Sequence, residues 1–169
     1  RVRDEQKTFG KIICNYRTMN IITLDKKDVI QFWKLRLCLL RELGEISTKT
    51  NLIDLENSTK EYFLSNINKS LICYGVIDND EIISIASLCL FNRIPYQENL
   101  KGKEGYILNV YTYPEFRKQR LAGTLLQEII KYAREQGIKR VWLNSSKYGK
   151  DLYSIYGFIE KDNEMELML

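Results

Sequence analysis

The sequence predicts an α/β (α+β) fold, a central mixed but mostly antiparallel sheet of about seven strands flanked by about four helices. Three observations carry this expectation. Leu121, Leu125, Leu126, Ile129, Ile130 and Ala133 recur at helical spacing along Arg120–Gln136 and would form one buried stripe. Two β-rich runs, Leu71–Ile77 and Glu81–Phe91, are separated by Asp78-Asn79-Asp80, a hairpin signal. Strand and helix patterns then succeed one another in the order β-α-α-β-β-β-α-β-α-β-β, with no repeat or low-complexity linker to divide them.

Residues 1–18 form an extension whose pattern defines no element, although Phe9 and Ile12-Ile13-Cys14 have the character of an edge strand. A single domain is expected over 19–169. Asn20–Leu24 reads as a short strand. Asp25, with Asp28 three residues on, offers an N-cap for a helix over Lys26–Leu43. That helix is apolar almost all round (Val29, Ile30, Phe32, Trp33, Leu35, Leu37, Leu39, Leu40), the pattern of a helix that is deeply buried or lines a pocket. Gly44 is its stop. Ser58-Thr59-Lys60-Glu61 reads as a capping box opening a second helix to about Asn68.

Beyond the hairpin, a polar loop around Pro95 and Gly102 leads to a third long strand, Gly105–Tyr113. The striped helix Arg120–Gln136 ends at Gly137. Ile138–Leu143 reads as a strand and Gly149–Tyr156 as a short helix ending before Gly157. Phe158–Ile159 and Met165–Leu169 read as two final strands.

Composition narrows the chemistry. The chain has 169 residues, 44% of them hydrophobic, and its 26 Lys+Arg against 22 Asp+Glu leave a net charge of +4. That excess is too small and too dispersed to argue for nucleic acid. No apolar run approaches the ~20 residues of a membrane span, so no membrane partner is expected, and no signal-peptide core contradicts the cytoplasmic location that reduced thiols imply. Histidine is absent, which excludes Ser-His-Asp and Cys-His nucleophile systems and any His-ligated metal centre. Cys14, Cys38, Cys73 and Cys89 show no CxxC spacing and read as buried reduced thiols, so no metal is expected.

The chemistry-bearing stretch is Tyr106–Thr124, YILNVYTYPEFRKQRLAGT: an apolar strand, a Pro-marked turn, then a basic loop opening the striped helix. Unpaired N–H groups at a helix N-terminus suit a phosphate. Arg117, Lys118 and Arg120 stand at that mouth, and Ala122-Gly123 leave room for close approach. Asn109 lies in an otherwise apolar strand and must find a hydrogen bond, toward a substrate or at a strand irregularity.

With this context the chain resembles the GNAT superfamily of acyl-CoA-dependent N-acyltransferases. The family's pyrophosphate loop, [RQ]-x-x-G-x-[GA], stands here as Arg117-Lys118-Gln119-Arg120-Leu121-Ala122. Its second signature, LYxxxGF, is complete as Leu152-Tyr153-Ser154-Ile155-Tyr156-Gly157-Phe158. Arg120 replaces the loop's central glycine, where a Cβ would crowd the phosphates or force a different turn, while a guanidinium could supply phosphate contacts of its own.

The resemblance implies an acetyl-CoA-dependent N-acetyltransferase acting on a primary amine by direct attack, a small-molecule amine being favoured. It implies that Gly105–Tyr113 and Ile138–Leu143 splay apart to form the acyl-CoA cleft. Backbone groups of Val110, Tyr111 and Thr112 would meet the pantetheine and thioester. Backbone amides of Gln119, Arg120, Leu121, Ala122, Gly123 and Thr124, beside Arg117, would cradle the pyrophosphate, and Lys118 would reach the 3′-phosphate, with a surface lysine that binds nothing as its alternative. Tyr153 would lie beside the sulfur and protonate the leaving thiolate, and Glu104 is the candidate base, with a solvated loop carboxylate as its alternative. Trp33, Leu37, Glu42–Glu56 and Arg93–Tyr96 would shape the acceptor side. A monomer or homodimer is implied. The alternatives are an acyl-CoA-binding module without turnover and a transferase acting on protein N-termini or lysines.

Overall fold

The computed structural model describes residues 20–146, 149–161 and 165–168. The expected extension over 1–18 lies outside them. One five-stranded sheet runs in sequential order: β1 (Asn20–Thr23), β2 (Leu71–Asp78), β3 (Glu81–Asn92), β4 (Lys103–Thr112) and β5 (Arg140–Trp142). The first four strands are antiparallel and β5 lies parallel to β4. A parallel return needs a crossover, and helix α3 (Leu121–Glu135) supplies it.

Helices cover the two faces of the sheet. On one side, α1 (Val29–Glu42) and α2 (Leu52–Asn66) bury Phe32, Leu35 and Phe63 against Leu71, Cys73, Ile82, Ile85 and Tyr111. On the other, the α3 stripe of Leu121, Leu125, Leu126 and Ile129 packs on Ile72, Val76, Ile83, Leu88 and Ile107. The short α4 (Lys150–Ile155) adds Leu152 and Tyr153 to that second cluster. Side chains of β2, β3 and β4 thus alternate between two cores, and the strands read as continuous apolar runs.

The local signals are explained by backbone chemistry. Asn79 and Asp80 both have positive φ, 48° and 65°, in the two-residue hairpin between β2 and β3. That conformation matches the strand twist and favours Asn and Asp. Asp25 is the expected N-cap and forms a reciprocal capping box with Asp28, although the turn they open, Lys26–Asp28, is a 3-10 turn before α1. Expectation and structure differ at α2. The helix begins at Leu52, capped by Asn51, whose side-chain oxygen accepts from Asp54 N at 3.3 Å. Ser58–Glu61 therefore lies inside the helix, where Lys60 pairs with Glu56 one turn back.

The two final strands expected at Phe158–Ile159 and Met165–Leu169 are not found among the described residues. Met165 and Met168 are 97% and 82% exposed, so this apolar run has no face to bury and no ladder to join. Among the described residues the sheet accordingly has five strands, where about seven were expected.

The LYxxxGF segment is a helix cap. Gly157 (φ 85°) follows the C-cap Tyr156; Gly157 N donates to Ser154 O at 3.0 Å and Phe158 N to Tyr153 O at 3.2 Å. These are the two bonds of a Schellman motif, and the ring contact between Phe158 and Tyr153, centroids 5.8 Å apart, is its apolar closure. A Cβ on Gly157 would meet nothing within 4 Å. Gly157→Ala is therefore expected to cost only the left-handed penalty, about 1 kcal/mol, and to lower Tm by about 2–4 °C by calorimetry.

Candidate active site

The site begins where two strands part. β4 and β5 pair only from Glu104–Arg140 to Tyr106–Trp142, yet β4 continues to Thr112. On its other side the β3 register jumps from Ser87–Leu108 to Ile85–Tyr111, so β4 holds one extra residue. Asn109 sits at this bulge with φ 52°, a conformation Asn tolerates better than most residues. Its Oδ1 accepts a hydrogen bond from Arg36 Nη1 of α1. The strand's polar residue thus marks an irregularity and is satisfied there.

Beyond the bulge Tyr113 N donates to Ile83 O at 3.0 Å. By strand alternation the main-chain groups of Val110 and Thr112 face away from β3. The Thr112 carbonyl is taken by Arg117 Nε at 3.0 Å. Its hydroxyl shares a 2.7 Å hydrogen bond with Ser84 Oγ.

A cleft of about 660 Å³ opens here, lined by Leu39 and Glu42 of α1 and its C-cap Leu43, Val110, Tyr111 and Thr112 of β4, Phe116, Arg117, Lys118 and Arg120 of the following loop, Leu121, Ala122 and Gly123 at the start of α3, and Ser146, Gly149, Leu152 and Tyr153. It gathers Val110, Tyr111, Thr112, Arg117, Lys118, Arg120, Leu121, Ala122, Gly123 and Tyr153 among the predicted site residues. Gln119, Thr124 and Glu104 are not among its lining residues. Leu39, Leu43, Ser146 and Leu152 line it without having been assigned to the cofactor site. The nearly all-apolar α1 pattern was the signal for Leu39 and Leu43.

The loop is built from strained backbone. Lys118 and Arg120 both have φ 62°, in the left-handed region, and Arg120 is the N-cap of α3. Thr124 N, bonded to Arg120 O at 3.0 Å, is the first intrahelical donor. The N–H groups of Leu121, Ala122 and Gly123 therefore have no intrahelical acceptor and carry the positive end of a 15-residue helix. Arg120 adopts the turn that glycine would take and keeps a cation at the mouth. Gly123 is needed for packing, because a Cβ there would overlap the Tyr156 hydroxyl.

Arg117 faces α1. Its Nη2 pairs with Glu42 Oε2 at 2.6 Å and its guanidinium lies over the Tyr111 ring, 5.4 Å from the centroid. The Arg117 hydrogen bond holds the Glu42 carboxyl below the usual carboxylate range. Arg117 thus ties the loop to the end of α1.

Tyr153 is half-buried against the second core cluster. Burial first, and then the neighbouring Tyr106, push its phenol above the ordinary value of 10. It keeps its proton at neutral pH and can donate it. Glu104 stands elsewhere. At the start of β4 it is fully buried, Oε1 bonded to Arg93 Nη1 (3.3 Å) and Tyr96 Oη (3.0 Å), Oε2 to Arg140 Nη1 (3.3 Å). Neither a cleft base nor a solvated loop carboxylate, it pins the β3–β4 loop and β5 to β4. Trp33, expected at the acceptor side, is buried in the core.

Comparison with known proteins agrees with this geometry. The acetyltransferase (GNAT) family model matches residues 39–158. The chain belongs to this family. A predicted acetyltransferase from Clostridium acetobutylicum, solved with acetyl-CoA, superimposes with a TM-score of 0.82 and 29% identity over 89% of this chain and 96% of its own. A GCN5-related N-acetyltransferase from Ralstonia eutropha JMP134 shares the fold, with a TM-score of 0.78 and 20% identity over 89% and 98% of the two chains. Curated protein sequences yield no match. GNAT acetyltransferases use acetyl-CoA, and no cluster of metal-ligating side chains occurs among the described residues. No described helix is long and apolar enough to cross a membrane.

Arg120→Gly is expected to relieve about 1 kcal/mol of left-handed strain, raising Tm by about 2–4 °C, while Arg120→Ala gives no gain. Thermal unfolding of the two variants checks this.

Proposed function

We propose that the chain is an N-acetyltransferase that moves an acetyl group from acetyl-CoA directly to a primary amine, the acceptor being a small molecule. The observation that carries this reading is the convergence of three features on one cleft: the parted β4–β5 edge, the open N-terminus of α3 and the phenol of Tyr153. The cleft's size suits a small substrate and part of a cofactor. The domain is taken to span 19–169 and to work in the cytoplasm, as a monomer or homodimer.

Acetyl-CoA supplies an activated acyl group as a thioester. The N–H groups of Leu121, Ala122 and Gly123, with Lys118 and Arg120, bind the pyrophosphate by charge and hydrogen bonding. Gln119 and Thr124 belong to the same loop and helix start, but Thr124 Oγ1 bonds to Arg120 O at 3.1 Å, leaving it a structural part. Val110 and Thr112 turn main-chain N–H groups toward the gap and polarise the thioester carbonyl as charge develops on its oxygen. Tyr111 forms the wall between Arg117 and the core.

The amine nitrogen forms the new C–N bond as the C–S bond breaks, and Tyr153 donates its proton to the departing sulfur. The amine's own proton leaves to water, which returns a proton to the Tyr153 phenolate, since Glu104 is held by two arginines and a tyrosine outside the cleft. No acyl-cysteine is needed. Burial pushes the Cys73 thiol up to about 12 and raises that of Cys89, so neither is a ready thiolate nucleophile.

Tyr153→Phe is expected to lower kcat by about 10²-fold or more, with the thermal shift produced by CoA unchanged. Because its phenol lies above 10, the wild-type rate should lose its acid only at pH above 10. Thiol release across pH, beside CoA-dependent unfolding, reads both quantities. Equal rates in the variant and wild type would remove Tyr153 from the chemistry.

A further inference from the structure

One turn before its cleft-lining residues, α1 carries a cation, Arg36, that is not itself among those lining the cleft and has no ion-pair partner among the described residues. Leu39 and Leu43 line the cleft, and Arg36 lies three and seven positions before them, on the same helix face. Its guanidinium is partly buried, and its hydrogen bond goes to the uncharged Asn109 at the β4 bulge, next to cleft-lining Val110 and Tyr111. Among the described residues no carboxylate forms an ion pair with it. Glu45 and Cys89 are the groups whose fields reach it, and burial lowers its pKa. The acidic residue that does line the cleft, Glu42, is engaged by Arg117.

A guanidinium offers five N–H donors, and a desolvated cation is costly unless an anion answers it. A second unanswered donor lies on the same side of the sheet. Cys89, Tyr106 and Trp142 are register partners across β3, β4 and β5 and so share one face. That face is the one covered by α1 and α2, since Cys89 packs in their cluster. The Trp142 Nε1 is buried without a hydrogen-bond partner among the described residues.

We infer that Arg36 is a specificity residue that binds an anionic oxyacid group, carboxylate or phosphate, on the acceptor amine. The inference rests on the N-acetyltransferase reading and narrows its substrate class. The acceptor then carries a negative group within reach of the bulge while its amine faces the thioester. Asn109 orients the guanidinium for that contact and positions it without touching the substrate.

The test uses matched pairs of acceptors with the full chain: leucine against leucinamide, and O-phosphoethanolamine against ethanolamine. The anionic member of at least one pair should have a kcat/KM about 10–100-fold higher, and the pair that discriminates identifies carboxylate or phosphate as the group. Arg36→Gln and Arg36→Met should abolish that preference by raising KM for the anion, leaving the neutral amine's kcat and the CoA-dependent thermal shift unchanged. A retained thermal shift shows that the variants are folded. Equal rates within both pairs in the wild type, or a preference that survives in both variants, would overturn the inference. Binding of the N-acetylated anionic member of the discriminating pair against its N-acetylated neutral counterpart by calorimetry supplies a readout independent of turnover, and no preference there counts against Arg36 equally. Absence of an acetyl-CoA thermal shift would instead strike the N-acetyltransferase reading itself.

Discussion

The structure depends on β4 being unable to pair along its whole length with β5. Three residues of parallel ladder hold the strands together, and then β4 runs on without that partner. The separation is anchored at both ends. At the paired end the buried Glu104 draws Arg93, Tyr96 and Arg140 together, fixing the β3–β4 loop and β5 to one carboxylate. At the open end the extra residue of the bulge at Asn109, in left-handed backbone against the shifted register of β3, bends β4. A buried carboxylate with three partners is a fixed point, because losing any partner leaves a desolvated charge. Between those anchors β4 turns toward the cleft a line of main-chain groups that β5 does not pair.

Charge is divided accordingly. Carboxylates near the site are spent on structure: Glu104 on the strand junction and Glu42 on Arg117. Cations at the cleft mouth, Lys118 and Arg120, sit in left-handed backbone that aims the loop at the N-terminus of α3. Such strain persists where surrounding structure over-determines it, here the register of β4 below and the packing of Gly123 on Tyr156 above.

Much of this was readable in the sequence. The α3 stripe, the Asn79-Asp80 hairpin and the Gly157-Phe158 cap are local patterns whose energetics lie within a few residues, so they specify their structure directly. The basic loop was readable for the same reason. What escaped depends on tertiary context. Glu104 looks like a loop carboxylate until Arg93 and Arg140, distant in sequence, are brought beside it. Asn51, rather than Ser58, caps α2 because Asn51-x-x-Asp54 is as good a start and lies earlier. The final apolar runs lack a face to bury. Arg36 was hidden inside an apolar helix, although its spacing to Leu39 and Leu43 already placed it on their face.

The central claim is that this cleft holds an acyl-CoA. Thermal unfolding with acetyl-CoA, with free CoA and with ATP tests it most directly. Saturation near 100 times Kd should add about 2.7 kcal/mol, a rise of about 5–10 °C for acetyl-CoA and CoA, with little change for ATP. No shift at millimolar acetyl-CoA, or an equal shift with ATP, would contradict the account.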